Sequence, residues 1–358
     1  MGPLTGRSLP SFAACLVERR DLVADDHEGW LAECLRIGDV QSSLAMQLAA
    51  EGRRDAACVA ALAGMTALRV AADLVRDDDP RRAQIVAGVQ AGIAKLLKGG
   101  VPRAEVIMLP GIDRKPLQAC FWPAARGHGP APAVVCIGDE GEPLELLLAR
   151  LVPAAAGREL ALLLVAQSEI QDTPGLAHAA TITAEMRLGD CVDHLASRSE
   201  VDAKRIAVRG DGLAGALATR FAVSDSRIVA AVCDGGLWDG ARHRAGVNWL
   251  AGAEAAAWEP DDAAHRTRQA RQMRYPFLVV ANARGVSSVA EAVALHADCA
   301  RLGVRMDLDV PQAAATAQET VEELLRSEAR TVGWLVAKLD ASADGSAGSD
   351  RLPRSQAG

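Results

Sequence analysis

At 358 residues, with half of them hydrophobic and 24% charged, the chain has the balance of a folded globular protein. That length gives room for one large α/β domain and a smaller helical one. The formal charge of -7 is spread over interspersed acids and bases, and aromatic residues are only 3%. The concentrated positive face that nucleic acid or an anionic membrane needs is therefore excluded.

The opening residues MGPLTGRSLP lack the charged patch and apolar run of a signal peptide, and no stretch of 18 apolar residues occurs. The expectation is a cytoplasmic chain with no membrane span. From Asp26 to Gly99 the pattern is helical, and AACVAALAGMTALRVAADLV is apolar nearly all round, as suits the buried centre of a helical layer. Pro80 opens the next helix, which ends at Lys98 before Gly99 and Gly100. Beyond Val101 the period shortens. AEVIMLP and LQACFWPA flank GIDRKP as a hairpin, and AVVCIG and ALLLVAQ are apolar runs typical of central strands. Helices LELLLARLVPAAA and ITAEMRLGDCVDHLASR, strand RIAVRG, helix LAGALATRFA and strand IVAAVCDGG follow. A segment with Trp238, Trp249 and Trp258 precedes strand FLVVAN, helix VAEAVALHADCARLG, the run VRMDLDV and a closing helical stretch. Strands alternating with helices predict an α/β fold with a mostly parallel sheet. The expected division is a helical cap over 1–100, an α/β domain over 101–340 with a lid over 236–272, and a disordered tail over 341–358.

The eight cysteines stand singly, several inside apolar runs such as APAVVCI, and read as small buried hydrophobes. No histidine has a partner at metal-ligand spacing, so no metal is proposed, and no cofactor is required.

Ligands of open α/β sheets sit at the carboxyl ends of the strands, which directs attention to GDGLAG. Gly210, Gly212 and Gly215 match G-x-G-x-x-G, with Asp234 at the end of the next strand as a candidate ribose ligand. On that reading the chain is a dinucleotide-binding oxidoreductase. The other reading comes from the surroundings. ASRSEVDAKRIAVRGDGLAG resembles the nucleophile-elbow region of the α/β-hydrolase superfamily, GIDRKPLQACFWPAARGHGPAPAVVCIGDEG resembles its preceding strands, and PFLVVANARGVSSVAEAVALHADC resembles its later strand, acid loop and helix. The helical segment around AAEGRRDAACVAALAGMTALRVAADLVRDDDPRR resembles the cap of the pseudooxynicotine-hydrolase, FrsA and fungal pigment polyketide-shortening group.

The resemblance implies an α/β-hydrolase fold with an N-terminal helical cap, and its departures are informative. Gly212 stands where the nucleophilic serine belongs, the acid position falls near Gly285, and VRMDLDVPQAAATAQE lacks a histidine. Neither Asp211 nor Ser287 occupies the raised point of the elbow. The implied oxyanion-hole amides are those of Leu213 and Asp139, which can stabilise an enolate as well as a tetrahedral intermediate. The expected activity is a non-hydrolytic step on an apolar carbonyl or polyketide-like small molecule in secondary metabolism: cyclisation, dehydration, isomerisation or C–C cleavage. A noncatalytic binder or scaffold, for instance a homodimer, is the rival. Asp234 and His243 are the candidate proton carriers, against readings as a helix-capping carboxylate and a solvated histidine. Asp211, Gly212, Trp238 and Trp249 are expected at the substrate pocket, although Asp211 reads more as a local hydrogen-bonding group, and the tryptophans would equally fill core or anchor a partner.

Overall fold

The computed structural model describes residues 27–75, 79–98, 104–111, 115–124, 129–139, 141–170, 178–212, 214–235, 272–281, 289–312 and 316–349. Three helices come first: α1 (His27–Ala50), α2 (Arg54–Leu74) and α3 (Pro80–Lys98). Trp30, Leu31 and Cys34 share one face of α1 and close on Ala67, Val70, Ala71 and Leu74 of α2, as the apolar spacing requires. The stretch Arg54–Ala72 is long and apolar enough to cross a membrane by composition, a level the expectation of no membrane span did not foresee. Here 56% of it is buried, and its apolar side chains are packing residues of the helical layer and the sheet beneath it. The Thr66 hydroxyl of α2 lies 3.1 Å from the Ala149 carbonyl of the α/β unit, so the helical layer is joined to that unit by a buried polar contact as well as by apolar packing.

The α/β unit runs β1 (Glu105–Leu109), β2 (Leu117–Trp122), β3 (Ala131–Ile137), α4 (Leu144–Ala155), β4 (Ala161–Val165), α5 (Gln167–Ile170) and α6 (His178–Ser197). It continues with β5 (Val201–Asp211), α7 (Ala214–Ser224), β6 (Ile228–Asp234), β7 (Phe277–Val280), α8 (Val289–Arg301), β8 (Met306–Asp309) and α9 (Ala317–Ser349). One sheet of eight strands has the order β1-β2-β4-β3-β5-β6-β7-β8. Strand β2 runs antiparallel to both neighbours, and every other pairing is parallel. This is the α/β architecture expected, with the helical layer preceding β1. Residues β3 and β4 are buried along their whole length, as strands covered on both faces must be.

Two apolar cores flank the sheet. On one face Ile206 and Val208 of β5 pack with Leu188 and Val192 of α6 and Phe221 of α7. On the other, Val134, Leu162 and Ala207 meet Leu147 and Leu151 of α4 and Leu335 and Leu339 of α9. The seven cysteines among the described residues are all free and buried; burial pushes the Cys58 thiol up to about 11 and that of Cys136 up to about 12. Helix α9 continues past Ala341 to Ser349, where a disordered tail was expected. No proline interrupts it before Pro353, and Ser342 donates to the Leu339 carbonyl inside the helix.

Candidate active site at the elbow after β5

Pairing in register sets the rim of the site. Ile137 of β3 lies opposite Gly210 of β5, and Asp211 lies opposite Asp234 of β6. The loop after β3, the turn after β5 and the end of β6 therefore meet at one point. Strand β5 passes into α7 through Gly212 alone and one further residue, and Gly212 has φ of +51°, in the left-handed region that side chains disfavour. Its amide donates to the Asp234 carbonyl at 2.7 Å. A Cβ at Gly210 would overlap the Ala214 carbonyl and lie 2.7 Å from the Gly215 nitrogen; one at Gly215 would overlap the Cys233 sulfur. Both flanking glycines are thus consumed by the close approach of α7 to β5 and β6, the steric demand of a strand-to-helix elbow.

Gly212 is different. A Cβ built there would overlap the Asp139 carboxylate, 2.6 Å from its Cγ and 2.7 Å from Oδ2. Asp139, half-buried in the loop after β3, places its carboxylate in the volume that a Cβ at Gly212 would fill. Its main-chain amide, the expected oxyanion donor, instead donates to Glu142 Oε2 at 3.3 Å. The other expected donor, Leu213, lies outside the described residues, as do His243, Trp238 and Trp249.

Beneath the elbow lies an ionic network that sequence reasoning missed. Arg209 of β5 is 1% exposed. Its Nε donates to Asp211 Oδ1 at 2.8 Å, its Nη1 to Glu328 Oε2 of α9 at 2.5 Å, and its Nη2 pairs with Asp234. Arg150 of α4 donates to Glu142 Oε2 at 3.0 Å and Glu328 Oε1 at 2.6 Å, and it also pairs with Asp211. Burial opposes the charge of both guanidiniums, yet Asp211 and the other facing carboxylates override it and hold both protonated well above the usual arginine value. Asp211, expected to hydrogen-bond locally, does so with Arg209, two residues away, and also reaches Arg150, 61 residues away in sequence. Its partners are two buried guanidiniums. Asp234 is 4% exposed and gives a carboxylate oxygen to Arg209 and its carbonyl to Gly212, so it braces the elbow from below.

The signal for this network was present in β5 itself. A charged residue two places from another in the buried half of a strand demands a partner. Arg209 and Asp211 alternate onto the same face, the one that Ala207 turns toward α4 and α9.

Above the rim a cleft of about 460 Å³ opens between α2, α3 and the turn entering α4. Glu142 belongs to both places, lining the cleft while its carboxylate meets Arg150 and the Asp139 amide.

The fold is matched in a solved structure. The 2,6-dihydroxy-pseudo-oxynicotine hydrolase superposes with a TM-score of 0.55 at 18% identity, over 87% of this chain and 89% of that one. The fold is that of the α/β-hydrolases. A puromycin-hydrolysing peptidase from Mycobacterium tuberculosis matches 66% of this chain and 40% of its own, with 16% identity and a TM-score of 0.49. The α/β hydrolase GrgF from Penicillium sp. sh18 matches 66% and 99%, with 12% identity and a TM-score of 0.45. No family model matches the chain, and no curated protein matches its sequence. Within the α/β-hydrolase fold the GDGLAG turn is the elbow. A pyrophosphate drawn to bare amides at Gly212 would meet the Asp139 carboxylate, which removes the physical basis of the dinucleotide reading. Among the described residues no group of three or more His, Cys, Asp or Glu is placed to hold a metal ion.

Proposed function

We propose that this chain is a non-hydrolytic α/β-hydrolase-fold enzyme that moves a proton on an apolar carbonyl or polyketide-like small molecule, with the Asp139 carboxylate as the proton carrier. One observation supports the reading: the Asp139 carboxylate stands where a side chain at Gly212 would be, the position that the resemblance to the α/β-hydrolases gives to a nucleophile. A carboxylate there takes a proton from the carbon beside the substrate carbonyl, and the C–H electron pair moves onto the carbonyl oxygen as an enolate. Returning the proton to a different carbon isomerises the substrate; expelling a β-hydroxyl as water dehydrates it; attack of the enolate carbon on a second carbonyl closes a ring. None of these steps needs a covalent ester. The similarity to a pseudo-oxynicotine hydrolase, which runs over 87% of this chain, supports a ligand held between helical layer and sheet, and a cytoplasmic role in secondary metabolism fits this substrate class.

The second reading is a noncatalytic binder, a homodimer among its forms. It is favoured by the Asp139 amide, whose bond to Glu142 uses a donor that an enolate oxygen would need. Acetophenone in D₂O separates the two. Deuterium incorporation at its methyl carbon, followed by NMR, is expected with the full chain and is expected to fall at least 100-fold in Asp139→Asn. Equal incorporation by the variant removes Asp139 from the chemistry; no incorporation above buffer by the parent leaves the binder.

A further inference from the structure

The loop that carries Asp139 is closed on itself by Glu142. The Glu142 amide donates to the Asp139 carbonyl at 3.1 Å, and the Asp139 amide donates back to Glu142 Oε2 at 3.3 Å. These reciprocal bonds fix the main chain from which the Asp139 side chain springs. Gly138 leaves room for the approach, since a Cβ there would come within 3.3 Å of Glu142 Oε2. Glu142 is itself held. Arg150 lies eight residues on, about two helical turns, and donates to Glu142 Oε1 at 3.3 Å and to Oε2 at 3.0 Å. A two-pronged grip of this kind orients a carboxylate as well as attracting it. Arg150 is 7% exposed and is anchored in turn by Glu328 Oε1 at 2.6 Å and by Asp211. A line of contact therefore runs from α9 and β5 through Arg150 to Glu142 and ends on the main chain of Asp139.

We infer that Glu142 is a positioning residue for Asp139, holding its carboxylate at the elbow, and that Arg150 holds Glu142. The inference deepens the function proposed above and rests on that reading for the role of Asp139. It also gives a use to the bond between the Asp139 amide and Glu142: a donor that would otherwise serve an oxyanion fixes the proton carrier instead. A carboxylate displaced by an ångström loses its alignment with the C–H bond it must break, and such a displacement costs about 100-fold in rate. Glu142 acts through another residue, so its loss weighs on kcat rather than on KM.

Three variants of the full chain test this: Glu142→Ala, Glu142→Gln and Arg150→Lys. The readouts are kcat and KM for deuterium incorporation into acetophenone, and hydrogen exchange of the Asp139 amide followed by NMR. Glu142→Ala is expected to lower kcat at least ten-fold while KM stays within about three-fold, and to speed exchange of the amide at least ten-fold. Glu142→Gln, whose side-chain oxygen still accepts a hydrogen bond, is expected to fall between parent and Glu142→Ala on both readouts. Arg150→Lys keeps the charge but loses the fork, and it is expected to speed exchange of the Asp139 amide through Glu142. Should Arg150→Lys lose its thermal transition, the two Glu142 variants decide. An unchanged kcat or an unchanged amide exchange in folded Glu142→Ala would overturn the inference. So would a rise in kcat, which would mark Glu142 as a cover over an oxyanion donor and leave the proton-transfer reading standing. Absence of incorporation by the parent chain removes the proton-transfer reading instead, and the amide exchange then decides whether Glu142 holds Asp139.

Discussion

The two faces of the sheet are built from the same strands by different means. On the face toward α6, α7 and α8, an apolar cluster runs from Ile206 to Phe221 and Leu295, and its buried polar groups, Arg187 and Tyr275 among them, bond to main-chain carbonyls. On the face toward α4 and α9 the strands begin alike, with Val134, Leu162 and Ala207, but their carboxyl ends turn ionic at Arg209, Asp211 and Asp234. Apolar burial is non-directional and tolerates small shifts. Paired charges in a dry site bring little net stability, because desolvation offsets most of their attraction, but they are severe about position. Both faces therefore contribute apolar burial, while the ionic end of one fixes where the elbow, α4 and α9 stand relative to one another.

That contrast can be broken at its strongest point. Arg209→Met removes one guanidinium and leaves Asp211, Glu328 and Asp234 without a shared partner, and a loss of about 3–5 kcal/mol in urea unfolding is expected. Leu188→Ala, on the apolar face, creates a cavity and is expected to lose about 2–4 kcal/mol. The two differ in kind. Arg209→Met should also disturb the near-ultraviolet signal of Trp334 on α9, whereas Leu188→Ala should leave it in place. A third change sharpens the contrast with exposed charge. The hydrogen bonds from Arg227, side chain first and amide second, hold the Asp225 carboxyl below its usual value. A carboxylate depressed in this way contributes fully above its unfolded value of about 4 and loses that contribution as the pH falls through its folded value. Asp225→Asn is thus expected to cost under about 1 kcal/mol at pH 7, since solvent screens the pair, and progressively less as the pH falls through the folded value, as read from urea midpoints across the acid range.

The element order was legible because hydrophobic period alone separates the long apolar runs of β3 and β4 from the helical spacing of α1 to α3. The elbow was legible because three glycines at fixed spacing leave few other conformations open to a strand that turns into a helix. The charges in β5 signalled that partners were needed but not which ones, since Arg150 and Glu328 lie 178 residues apart and nothing local announces that they meet. Arg150 in particular sits in LELLLARLVPAA, where a lone charge on an apolar helix reads as a solvated face, yet it is 7% exposed. Asp139 was singled out for its amide, whereas its side chain holds the decisive place. Which of two groups on one residue does the work depends on a rotamer, and no pattern of neighbours encodes that.

The crowding of Gly212 by Asp139 has an evolutionary corollary. One base change turns many glycine codons into serine codons, so a hydroxyl at this turn is a short mutational step. The newcomer's first carbon would arrive where a carboxylate already stands, on backbone with φ of +51° that side chains disfavour. The Asp139 side chain would have to swing aside before that hydroxyl could settle, so the step is short in codons and long in geometry.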